Sequence, residues 1–237
     1  GRAGSANNAY TNKFALTRGY INVKKDITPF LKFRLTPDLA LITNTANSQA
    51  GDYELRLKYL YADLLPPDIG PLTGNDVRVG MAQTPWFDFE EGINIYRMQG
   101  PMFLERATGF NSADIGVSVL GDFGGKLSKD QQEAVGYATP YSGKYGGYHV
   151  AVFNGGGYHA VENNQNKVLE GRVTLRPLPE AMPGLQFTYF GLTGKGNLAS
   201  NPNWTSHTAF LSYQNRRLVL TAQYLEAKGK QAGTSAK

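Results

Sequence analysis

The stretch "FDFEEG" crowds Asp88, Glu90 and Glu91 into one short segment, and paired carboxylates can serve general acid–base chemistry. An acidic loop facing water or a pore explains them as well and asks for less. "GDFGGKLS" at 121–128 resembles a phosphate-binding loop, but Leu127 follows Lys126 where that loop needs Ser or Thr, and residue 120 is not glycine. His149, His159 and His207 lie far apart without metal-ligand spacing, and the absence of cysteine removes thiolate catalysis, disulfides and thiolate-bound zinc together. "NWT" at 203–205 matches a glycosylation acceptor only formally. The expectation is a protein without catalytic residues, metal or cofactor.

Charge recurs in another way. Arg18, Lys24, Lys32, Arg34, Glu54, Arg56, Lys58, Arg78, Asp114, Arg172 and Arg176 sit at alternate positions of short segments, most of them between apolar neighbours. Such a set makes and breaks no bonds, but on the wall of a wet channel it would fix the local concentration of ions. Cations outnumber acids on these faces, with Asp38 added to the acids, so a weak preference for anions follows. The net charge of +5 agrees in sign and calls for no nucleic-acid partner.

The elements that must hold these residues are strands. In "GDYELRLKYLYADLL" Tyr53, Leu55, Leu57, Tyr59 and Tyr61 alternate with Glu54, Arg56 and Lys58. Aliphatics at the centre of that face and rings at its ends fit a strand crossing a lipid bilayer, its other face in a wet lumen. The period of two returns at 30–36, 76–82, 113–119, 148–153, 168–176, 184–191, 207–214 and 217–225, and less cleanly at 13–24, which makes about ten strands. Leu31, Phe33, Val173 and Leu211 join the face expected to meet lipid. No run approaches the length of a membrane helix, and no amphipathic helix of useful length is read between the strands. Glycine (28), tyrosine (14) and phenylalanine (12) are abundant, as suits strands and turns.

Connections alternate. "KKDITP", "RPLPEAMPG" and "NRR" are short, whereas 85–112, "NGGGYHAVENNQNK" and "TGKGNLASNPNWTS" are long. Short turns on one rim and long loops on the other characterise an outer-membrane barrel. The stretch 121–146 is long where a short turn is expected. The 85–112 loop mixes Asp88, Glu90 and Glu91 with Arg97 and Arg106, and it either narrows the lumen as a constriction loop or lies outside against water or another subunit.

The succession of these patterns resembles the phosphate-selective porin O/P family of Gram-negative outer-membrane porins. "FALTRGYINVKKDITPFLKFRLTPDL" is similar to the family's early hairpin, and "VRVGMAQTPWFDFEE" to its strand leading into a long loop. "ADIGVSVLGDF", "YHVAVFNGGG" and "GRVTLRPLP" resemble the strands that follow. The resemblance implies an antiparallel transmembrane β-barrel of roughly 16 strands in the outer membrane. It implies a homotrimer passing small anionic or polar solutes, with no phosphate selectivity carried over. Residues 1–237 then form a single barrel domain continued at both ends. Two other readings stay open at this point: an outer-membrane barrel enzyme or structural barrel with "FDFEEG" near its rim, and a soluble β-sandwich binding module.

Overall fold

A computed structural model describes residues 14, 16, 18–42, 49–94, 100–136 and 141–232. It is an all-β, antiparallel structure. The strands are Arg18–Tyr20 (β1), Val23–Thr28 (β2), Leu31–Leu41 (β3), Tyr53–Leu64 (β4), Leu72–Gln83 (β5), Ala113–Phe123 (β6), Gly146–Phe153 (β7), Val168–Leu175 (β8), Leu185–Lys195 (β9), Asn203–Gln214 (β10) and Val219–Lys228 (β11). Among the described residues they form one eleven-stranded sheet in which consecutive strands from β2 to β11 pair, and β1 pairs with β3 in line with β2. They are the two halves of the expected first strand. That strand runs on through "KKDIT", and the turn after it shrinks to Pro29 and Phe30. Among the described residues β11 does not pair with β1 or β2, so the sheet is open.

Three short helices interrupt the strands: Pro85–Glu90 (α1), Phe103–Thr108 (α2) and Lys129–Val135 (α3). Pro85 starts α1, where its missing N–H is no loss, and Gly109 ends α2 in the left-handed conformation at φ 68°. Ser128 opens α3 with a reciprocal capping box: its hydroxyl accepts from the Gln131 N–H while the Gln131 carboxamide accepts from the Ser128 N–H. The stretch 121–146, read as helix-free, therefore contains a helix. No described helix is long and apolar enough to cross a membrane, which leaves crossing by strands untouched.

The α1–α2 segment lies on one face of the sheet and touches strands from both ends of it. Trp86 packs on Phe190 of β9 and Phe210 of β10, while Asp88 meets Arg78 of β5. The sheet therefore curls into a trough with this segment inside. Trp86, Phe87, Phe89, Ile93, Met102, Leu104 and Phe110 are buried there against Val168, Phe190, Leu192, Trp204 and Phe210 of the wall. Rings meet edge to face, as between Phe110 and Trp204 at 5.6 Å. The described part of the 85–112 loop thus packs on the inner face of the sheet and is called the plug below.

Across the sheet the usual distribution is inverted. Residues facing out are apolar and exposed, among them Leu55, Val79, Val117, Val150, Val152, Leu169, Val173, Phe187 and Leu211. The alternate residues face in and are buried although polar, including Asp38, His149, Glu170, Arg172, Thr174, Ser206, Thr208 and Ser212. The outer band is less exposed around β3–β5, where Leu31, Phe33 and Leu57 are half-buried and Met81 is covered.

One strand breaks the expected parity. The β3–β4 ladder pairs Thr36 with Tyr59 and Pro37 with Leu57, so Lys58 is bulged out of register. Beyond it every side chain changes face. Tyr59 and Tyr61, read as outward, point in and are buried, while Leu60 and Leu64 are exposed on the outside. Pro37 cannot donate to the ladder, which is why the irregularity falls there.

Candidate functional site

The inward faces of β1–β5 form a basic wall opposite the plug. Asp38, fully buried, accepts from Arg18 and Arg56 through Oδ2, each at 2.9 Å. Glu54 stands 3.7 Å from Arg56, and Lys32 stands 3.7 Å from Asp26. Arg78 donates to Asp63 and Asp76 at 3.2 Å and to Asp88 of α1 at 2.9 Å. Gly80 makes room on this wall: at φ +129° it lies so close to β4 that a Cβ would collide with the Leu60 backbone.

Bulging puts the tyrosines among these cations. The Arg34 guanidinium lies 4.4 Å from the Tyr59 ring centre, and Lys58 Nζ lies 5.5 Å from that ring and 4.0 Å from Tyr158. Arg78 lies 5.4 Å from the Tyr61 ring. Each ring face offers a cation electrostatic attraction without neutralising it. Lys58 donates to the Ser112 hydroxyl at the end of the plug segment, which adds a second tie from wall to plug beside Arg78–Asp88.

Two adjoining cavities separate wall from plug. One of about 250 Å³ gathers Arg18, Arg34 and Lys58 opposite Glu91 and Glu105. The other, of about 490 Å³, gathers Lys24, Lys32, Arg34 and Arg78 with Asp88. Burial works to raise the Asp88 carboxyl, but the Arg78 guanidinium, His149 and the hydrogen bonds from Tyr141 and Arg78 together outweigh it and hold the group below its ordinary carboxylate range.

The remaining expected wall residues do not line this space. Asp114 braces the turn after β7, accepting from the backbone N–H of Ile115 and Gly155. Arg172 is buried between the Phe89 and Tyr141 rings at 4.7 and 4.6 Å and donates to Thr174. Arg176 donates to the carbonyls of Tyr141 and Gly143. All three face inward, but the plug and the 141–145 segment enclose Arg172 and Arg176, and the turn after β7 covers Asp114. Glu90 of the plug accepts from the Trp86 indole N–H, Arg106 is exposed on α2, and Arg97 lies outside the described residues.

Sequence parity missed Tyr59, Tyr61 and Asp63, displaced in the reading by the bulge; Asp76, first residue of the 76–82 segment and on the parity of Arg78, was not singled out, and Tyr158 and Ser112 lie in loops. Pro37 inside an otherwise regular strand was the available signal. No family model, no curated protein and no solved structure matches the chain.

Proposed function

We propose that this chain is an outer-membrane porin of a Gram-negative bacterium, its sheet part of a transmembrane barrel that passes small solutes by diffusion with a weak preference for anions. One observation carries the reading: exposed aliphatic side chains alternate with buried polar and charged ones along strand after strand. Water penalises the first set and an apolar core penalises the second, whereas lipid outside and a wet interior suit both. A soluble sandwich would require the opposite faces. The sequential antiparallel order supports the same reading, with connections mostly shorter on one rim, the 124–145 connection apart.

In this reading the solute path is the pair of cavities between the basic wall and the acidic side of the plug. Nothing on that path needs to react. The aromatic packing that fills the trough against β8–β10 favours a second reading, a plugged barrel without a continuous path. Planar-bilayer conductance with solutes of graded size separates the two. Steps of defined conductance with a sharp size limit support the porin, and a silent bilayer with correctly inserted protein refutes it.

A further inference from the structure

We propose that the smaller cavity, built around Tyr59, is a binding site for a small organic carboxylate with a flat apolar body, a single-ring aromatic acid being the type. The proposal rests on the porin reading only in treating the cavity as a station on the solute path.

The argument begins with unpaired charge. Arg18 in this cavity is committed to Asp38. Arg34 and Lys58 have no carboxylate within ion-pair distance among the described residues. Arg34 spends Nε, Nη1 and Nη2 on Thr36, Tyr61 and Asn22, all neutral. Lys58 is only 7 % exposed, and its described hydrogen bond goes to the Ser112 hydroxyl, although an ammonium carries three donors. A cation so buried is costly until an anion reaches it. Both lie beside the Tyr59 ring and line the same cavity, so an anion that enters it meets two cations that have no carboxylate partner among the described residues.

The rest of the ligand follows from the lining. Tyr20, Tyr59 and Tyr158 supply rings against which a flat group can pack. Glu91 and Glu105 border the same space. Phosphate and acetate would leave the three rings unused, whereas a single-ring acid packs its apolar body against them. At about 250 Å³ the space falls below the roughly 300–1,000 Å³ of drug-sized clefts, so a single ring is the right scale.

The test is titration of the purified full chain in detergent with benzoate, acetate and inorganic phosphate, followed by calorimetry. Benzoate is expected to bind at least about tenfold more tightly than acetate or phosphate, the tenfold step being one that calorimetry resolves. Lys58→Met should lose about tenfold of the benzoate affinity, Lys58→Arg should keep most of it, and Tyr59→Leu should weaken benzoate while leaving acetate unchanged. Phosphate binding as tightly as benzoate overturns the proposal, as does benzoate affinity untouched by Lys58→Met in a variant that still shows the native unfolding transition. If Lys58→Met does not fold, the Lys58→Arg and Tyr59→Leu pair decides alone. Benzoate binding by a protein that conducts nothing would remove the porin reading and leave this site standing. Conductance without benzoate binding would do the reverse.

Discussion

Arg78 Nη1 lies 2.9 Å from Asp88 Oδ2, and this contact joins wall strand β5 to helix α1 of the plug. The same guanidinium holds Asp63 and Asp76, each at 3.2 Å, so one cation sits among three carboxylates. This end of the wall is therefore locally acidic. The free positive charge lies further along, at Arg34 and Lys58, and at Lys24 on the larger cavity. Anion preference then depends on a few cations rather than on the whole basic series.

The Arg78–Asp88 contact should make the plug acid-labile. Asp88 is held below its ordinary carboxylate range, so its contribution is complete above the unfolded value and disappears as pH falls through the lowered one. Lowering the pH from neutral to about 3 should reduce the unfolding temperature in detergent, and Asp88→Asn should flatten that dependence. Arg78→Met, which strands three carboxylates, is expected to cost about 3–5 kcal/mol by denaturant unfolding. An unfolding temperature equally pH-dependent in Asp88→Asn would place the acid sensitivity elsewhere.

A second prediction concerns the outward face. Val150, in the middle of β7, is 45 % exposed and flanked by the outward Val119 and Gly171 on the neighbouring strands. Val150→Arg should destabilise the protein in lipid vesicles by about 2–4 kcal/mol at the bilayer midplane. In a soluble protein the same change at an exposed site would stay within about 0.5 kcal/mol. Vesicle-based unfolding of the two proteins side by side measures the difference.

Helix α3 ties the rim of short turns together. Gln131 donates to the Pro179 carbonyl and to Glu180, Arg216 donates to Glu133, and Lys144 pairs with Glu180. The Glu180 hydrogen bond raises Lys144, and Lys144 in turn lowers Glu180. Ser128→Ala removes the cap that starts the helix, at a cost of about 0.5–2 kcal/mol. Limited proteolysis should then cut within 124–145 faster than in the parent, and more so in high salt, which screens the exposed pairs. Unchanged cleavage would show that the buried Leu127 and Val135 alone fix this segment.

Much of the sheet is legible in the sequence for a simple reason. From β6 to β11 the ladders run without a register shift, so alternation along the chain equals alternation of faces. At Lys58 one extra residue reverses every later face of β4, and only the position of Pro37 on the neighbouring strand hints at it. The plug hides for a different reason. Trp86, Phe87, Phe89 and Phe110 are too apolar for an exposed loop, but short helices packed on a wall leave no long periodic signature. Helix α3 left a local mark, Ser128 followed three residues later by Gln131, which the surrounding glycines obscured.

The bulge gives a sharp test of that account. Deleting Lys58 should heal the β3–β4 ladder and leave Tyr59 and Tyr61 inward, because the deleted residue is the unpaired one. The deletion variant is expected to insert and unfold like the parent. Deleting Val150 from the regular β7 should instead turn part of that strand over and abolish folding. If the Lys58 deletion is as damaging as the Val150 deletion, the register at Thr36 and Pro37 is wrong.

Reversal potentials under a salt gradient test which cations select. Arg34→Gln with Lys58→Gln should remove most of the anion preference, since these are the wall cations of the open cavity without an acidic partner among the described residues. Arg172→Gln should leave selectivity unchanged, because Arg172 is enclosed between Phe89 and Tyr141 and does not border the path. The preference should shrink with salt as the Debye length falls from about 10 Å at 0.1 M to about 3 Å at 1 M. A pore whose selectivity follows Arg172 rather than Arg34 and Lys58 would carry its ions along β8, behind the plug, and the path assigned to β1–β5 would be wrong.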